Sequence, residues 1–194
     1  MTCTNIYYSG KDNFAADREL GEKTLAAYPN LVYSVRANRA FLVRAVRFLA
    51  AEMGIRQFLD IGTGMAILAK AASTLDFGRP VAIMLIAVMH FVRDDSQAGA
   101  IVRRLTDACA PGSFVTISHA ASDIDAKQQT EMVRRLNESV AEKATLRDRA
   151  GVTRLFDGLD LAEPGVVRVA DWRPDSDVEA ASPTGLWGGV ARKP

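Results

Sequence analysis

The run PVAIMLIAVMHFV, Pro80 to Val92, constrains this chain more than any other stretch. It is apolar at odd and even positions alike, so a strand built from it offers apolar side chains on both faces. That is the pattern of a central parallel strand covered by helices on each side of its sheet. Pro80 and Arg93 bound the run, and it is well short of the roughly 20 residues that cross a membrane. A helix to cover it lies just upstream. From Ser34 to Met53, Val35, Phe41, Leu42, Ala45, Val46, Leu49 and Ala50 recur at helical spacing, Arg36, Arg39, Arg44 and Arg47 fill the opposite face, and Gly54 ends the pattern.

The rest of the chain continues the alternation. Gln57 to Ile61 reads as a short strand ending at Asp60, followed by a turn with Gly62 and Gly64, and helical character resumes at Met65. Ala98 to Cys109 reads as a helix ended by Pro111 and Gly112, and SFVTISHA as a strand finishing near Ser118 and His119. Ala126 to Arg154 is mostly helical, with a break around Ala144 to Arg149. LFDGLDLAEPGVVRVADW follows as a turn plus an extended segment, RPDSDVEAASPTG as a loop, and TGLWGGVARKP as a last short strand. These features predict a single α/β domain over 1–194, with an N-terminal lid segment, 1–33, ahead of the α/β core, 34–194. In such sheets ligands gather beyond the carboxyl ends of the strands, where Asp60, Gly62, Gly64, His90 and His119 fall.

Charge narrows the partners. Lys plus Arg number 24 against 23 for Asp plus Glu, and a net charge of +1 gives no field to hold nucleic acid or an anionic membrane, so a small, roughly neutral ligand is expected. Cys3 and Cys109, with two histidines, make neither a disulfide framework nor a zinc spacing; the expectation is no metal and a reducing cytoplasm. The start, MTCTNIYYSGKDNF, lacks a cationic stretch followed by an apolar core, so no export signal is expected.

The chemistry-bearing residues admit two readings each. Gly62 and Gly64 let a ligand approach the backbone at the start of a helix with unpaired N–H groups, but glycines also serve turns for steric reasons alone. The full dinucleotide fingerprint is absent, because Ala66, Ile67 and Leu68 follow. His90 and His119 suit proton transfer near neutral pH and equally suit a hydrogen-bonded cap on a buried strand. The segment YYSGKDNFAADRE joins aromatics to both signs of charge, as a solvated face or a lid over a polar ligand would.

Taken together, SGKDNFAADRE, RANRAFLVRAVRFLAAEMGIRQFLDIGTG, LDFGRPVAIMLIAVMHFV and LFDGLDLAEPGVVRVADWRPD resemble, in that order, a family of actinobacterial S-adenosylmethionine-dependent methyltransferases of unassigned substrate. The resemblance covers nearly the whole chain. It implies a Rossmann-like class I methyltransferase sheet, here shortened to about five strands, mostly parallel, with helices on both faces. It also implies S-adenosylmethionine as cofactor, held by Asp60, Gly62, Thr63 and Gly64, by Ala87 and Phe91 around AVMHF, and by Tyr8, Gly10, Lys11, Asp12, Asn13 and Arg18 closing over it. His90 would be the catalytic residue and a small molecule the methyl acceptor.

One departure from the family pattern stands out. Relatives place two further strand and helix units before LDFGRPVA, whereas Met65 to Pro80 offers only 16 residues and each such unit needs about 25 to 30. The partners of ribose and adenine go with those units, and the strand at Gln57 becomes a sheet edge open to pairing, so a homodimer through that edge is expected. Asp94 or Asp95 offers a substitute ribose ligand, although RDDSQ also reads as an ordinary helix cap. The alternative function is a shortened relative without methyl transfer, serving as a binding or assembly protein or as a cofactor-independent enzyme.

Overall fold

The apolar run forms the buried strand β2 (Val81–Ile86) in the computed structural model, which describes residues 21–22, 25–26, 28–61, 71, 73–139 and 142–194. Its two faces feed two separate apolar layers. Val81, Ile83 and Leu85 pack with Ala98, Val102 and Leu105 of α2 (Asp95–Asp107), while Ala82 and Met84 pack with Phe41, Ala45, Phe48 and Leu49 on the other side. This is why the run shows no polar alternation: neither face meets water.

The upstream helix is α1 (Leu31–Arg47), which widens into a π turn at Phe48–Glu52 before Gly54, at φ +70°, ends it. The left-handed backbone there is one that glycine adopts at little cost. Downstream come β1 (Gln57–Asp60), β2, a 3-10 turn (Met89–Phe91), α2, β3 (Phe114–Ala120), α3 (Ala126–Ser139), α4 (Arg149–Arg154), β4 (Asp160–Leu161), β5 (Val167–Arg168), α5 (Asp177–Ala180) and β6 (Leu186–Arg192).

The strands form one sheet in the order β1-β2-β3-β6-β4, with β5 also on β6. β1, β2 and β3 run parallel, and β6 runs antiparallel to β3, β4 and β5. The parallel core matches expectation. The structure adds a sixth strand, because the extended segment after α4 divides into two short pieces against β6. Among the described residues β1 stands at the end of the order, with β2 as its one neighbour.

Two details of the sequence reading change. The apolar run leaves the sheet at Ile86, well before its end at Val92, since Ala87 takes φ +51° and the chain then winds into the 3-10 turn. The loop after Arg173 carries the helical turn α5, capped by the Ser176 hydroxyl accepting from Glu179 N–H. Glu179 pairs with the guanidinium of Arg44, itself buried and donating to the carbonyls of Trp172 (2.8 Å) and Val169 (2.7 Å). An arginine placed on the polar face of α1 by its spacing is thus a buried link to the C-terminal third of the chain. Trp172 is fully buried and meets Phe41 edge-on at 5.5 Å.

Candidate active site

The carboxyl ends of β1, β2 and β3 lie side by side, and the described candidate residues gather there. Asp60 closes β1 in register with Met84 and is exposed, and its carboxylate has no side-chain partner among the described residues. Ile61 N–H donates to the Met84 carbonyl at 3.0 Å, which carries the pairing one residue past the strand. At the end of β2, Ala87 N–H donates to the Ser118 hydroxyl oxygen at 3.0 Å. A non-glycine residue with positive φ costs about 1 kcal/mol, and outliers of this kind concentrate where a site dictates the backbone path.

Beyond Ala87 the 3-10 turn presents His90 and Phe91. Their rings lie 4.3 Å apart, and the Phe91 side is open, 39% exposed. His90 Nδ1 is buried and has no hydrogen-bond partner among the described residues. His119, on β3, is fully buried 6.0 Å from His90 and edge-on to it. Its Nδ1 lies 2.9 Å from the Ala120 carbonyl and its Nε2 lies 2.7 Å from Nη1 of Arg147. A guanidinium only donates and a carbonyl only accepts, so His119 is the neutral Nδ1–H tautomer.

Burial, added to by His119 and the Arg147 charge, pushes His90 down to about 3, and burial pushes His119 down to about 4. Both rings are neutral at physiological pH. His90 in this enclosure is a weak base and an available hydrogen-bonding group.

Asp94 and Asp95 are both engaged within the protein, in line with the helix-cap reading. Asp94 is the N-cap of α2, accepting from Gln97 N–H at 2.7 Å and from the Ser96 hydroxyl. The Asp95 carboxylate receives Nε–H of Arg147 at 2.8 Å. Arg147 itself carried no recognisable signal: it sits in the irregular stretch between α3 and α4, and only the fold brings it under the ends of β2 and β3. Tyr8, Gly10, Lys11, Asp12, Asn13, Arg18, Gly62, Thr63 and Gly64 lie outside the described residues.

Two clefts lie elsewhere: one of about 350 Å³ beside α1, lined in part by Arg36, Arg39 and Val43, and one of about 760 Å³ at the amino ends of the strands, lined in part by Arg56, Arg79 and Arg192. Neither is lined by Asp60, Ala87, His90 or Phe91. Among the described residues no group of three or more His, Cys, Asp or Glu side chains is placed to hold a metal ion, and no helix is long and apolar enough to cross a membrane.

Comparison with known proteins converges on one family. The family described as S-adenosyl methyltransferase matches residues 3–68 and 65–194. The crystal structure of a DUF574 family protein from Streptomyces avermitilis superposes with a TM-score of 0.91 at 30% identity, covering 99% of this chain and 96% of that one. A putative methyltransferase from Thermobifida fusca gives 0.87 at 29% identity, covering 98% of this chain and 93% of that one. No significant match occurs among curated proteins. Spanned almost end to end by this match and sharing its sheet with both solved relatives, the chain belongs to the S-adenosyl methyltransferase family, in which S-adenosylmethionine is the methyl donor.

Proposed function

We propose that the chain transfers the methyl group of S-adenosylmethionine to a small-molecule acceptor, with the cofactor at the carboxyl ends of β1 and β2. The observation that carries this placement is the buried Nδ1 of His90, without a partner among the described residues, beside the strained Ala87 and the open ring of Phe91. A buried polar atom without a partner is costly unless a ligand supplies one.

The residues present fit this cofactor. The Asp60 carboxylate offers an anionic acceptor for its hydroxyl or ammonium groups, Phe91 an aromatic face for its base, and His90 a neutral hydrogen-bonding group. The bound cofactor supplies an electrophilic sulfonium methyl, so the protein's task is alignment and exclusion of water more than proton transfer. With its ring held down at about 3, His90 orients a ligand by hydrogen bonding in place of taking up its proton.

The reading extends to residues carried by the resemblance alone. Gly62, Thr63 and Gly64 would complete the cradle after Asp60, and Tyr8, Gly10, Lys11, Asp12, Asn13 and Arg18 would close over it, as a lid segment ahead of one α/β domain. The end position of β1 among the described residues and a family match in two pieces that overlap at residues 65–68 support a sheet shortened on this side relative to the family pattern, while the two solved relatives are covered over 96% and 93% of their own length. The open edge of β1 is the reason to expect a homodimer there; light scattering tests this, with a dimer expected and a monomer contradicting it. The free thiol of Cys109 suits a cytoplasmic location.

Isothermal titration with S-adenosylmethionine tests the function. Saturable heat with a micromolar Kd is expected, and no heat at high micromolar ligand would overturn cofactor use.

A further inference from the structure

We propose that Arg147 is a positioning residue for cofactor binding, a clamp that fixes the turn Met89–Phe91 against the end of β3; the proposal rests on the reading that His90 and Phe91 face the cofactor. The geometry is specific. The guanidinium donates from Nη1 to the Met89 carbonyl (3.2 Å) and from Nη2 to the Val92 carbonyl (2.8 Å), so it grips the chain on both sides of His90 and Phe91. Nη1 also lies against His119 Nε2, and Nε–H is tied to Asp95 at the start of α2.

The backbone of the same segment adds to the grip. Arg147 N–H donates to the Ala120 carbonyl (3.2 Å), Ser122 N–H to the Arg147 carbonyl (2.9 Å), and Thr145 N–H to the His90 carbonyl (2.7 Å). One residue therefore joins the turn after β2, the end of β3 and the head of α2.

Charge pairing alone does not account for a buried arginine here. Its side chain is 3% exposed while the Asp95 side chain is 64% exposed, so the one close carboxylate among the described residues sits largely in water and neutralises a buried cation poorly. The rigid fork of donors does account for it, since only a planar guanidinium reaches two carbonyls, an imidazole nitrogen and a carboxylate from one position. A lysine has neither the reach nor the spread. Arg154 is the other cation near Asp95, at 3.9 Å, and is exposed, so it does not substitute.

The test is titration of S-adenosylmethionine into wild-type protein, Arg147→Met, Arg147→Lys and Asp95→Asn, each at a temperature where circular dichroism shows it folded. Arg147→Met is expected to raise Kd at least tenfold, Arg147→Lys to fail to restore it, and Asp95→Asn, which removes the charge of the acceptor at Nε while leaving an amide oxygen there, to raise it two- to fourfold. A folded Arg147→Met that binds within twofold of wild type overturns the proposal.

Should Arg147→Met not fold, Asp95→Asn decides on the same scale: the two- to fourfold rise upholds the clamp and an unchanged Kd overturns it. Nitrogen-15 spectra of the wild-type imidazoles give a readout independent of the cofactor. The Nδ1–H tautomer of His119 is expected, and the Nε2–H tautomer overturns the clamp. Wild-type protein that binds no S-adenosylmethionine but shows this tautomer overturns the cofactor reading, and with it the role in binding, while leaving the contact itself in place.

Discussion

β3 and β1 lie two strands apart in one sheet and are built to opposite standards. β3 has seven residues, the first six buried, and is paired along its length with β6 and for five residues with β2. Its end is roofed by Arg147 and holds a histidine whose two ring nitrogens are both engaged. β1 has four residues, of which Leu59 alone is buried, is paired on one side among the described residues, and ends in the exposed Asp60. The difference teaches where each property of the molecule comes from. Stability is drawn from the saturated side, and contacts left for a ligand are drawn from the side where hydrogen-bonding groups remain open.

Substitutions should therefore separate into those that cost stability and those that cost affinity. Phe41→Ala, which empties a fully buried ring position against Trp172 and over β6, is expected to destabilise by about 3–5 kcal/mol in urea unfolding. A loss under 1 kcal/mol would break the contrast. Gly188→Ala on β6 comes next. A Cβ there would stand 2.8 Å from Val169 Cγ1 and 3.1 Å from Phe41 Cζ, and strain of about 1–3 kcal/mol is expected in the same measurement.

Acid should act on the saturated side too. His119 has a folded pKa of about 4 against an ordinary value near 6.5, so the unfolded chain binds the proton more readily. Its contribution is complete above about pH 6.5 and is lost as pH falls toward 4, at up to about 1.4 kcal/mol per pH unit. Urea midpoints that stay level between pH 7 and pH 5 would contradict a neutral buried His119. Asp60→Asn should change stability least, within about 0.5 kcal/mol, because its side chain is exposed and unpartnered in the described structure. The same change should weaken S-adenosylmethionine binding by about tenfold or more, the cost of one charge-assisted hydrogen bond. A large unfolding shift with unchanged affinity would reverse the assignment of the two sides.

What the sequence made legible follows the same division. The two-faced apolar run announced β2 as a central strand, and the Gly54 stop, the Asp94 cap and the break before Arg149 each appear where local chemistry puts them. The long-range polar links were not legible. Arg44 looked like one of four arginines on a solvated helix face, yet its partners lie 125 or more residues away. Arg147 stood in a stretch without periodicity, and its partners at Met89, Val92, Asp95 and His119 meet only once β2 and β3 pair. Turn strain at Ala87 was equally silent, since alanine gives no local hint of a positive φ. Placement of His90 near strand ends could be anticipated; its enclosure and weak basicity depend on His119 and Arg147 arriving beside it.

The account turns on where the cofactor sits. Amide chemical-shift mapping during titration with S-adenosylmethionine asks this directly. Shifts concentrated at Asp60 and across Ala87 to Phe91, with Arg56, Arg79 and Arg192 at the amino ends of the strands unmoved, are the expected result; shifts confined to that opposite end, or none, would contradict it.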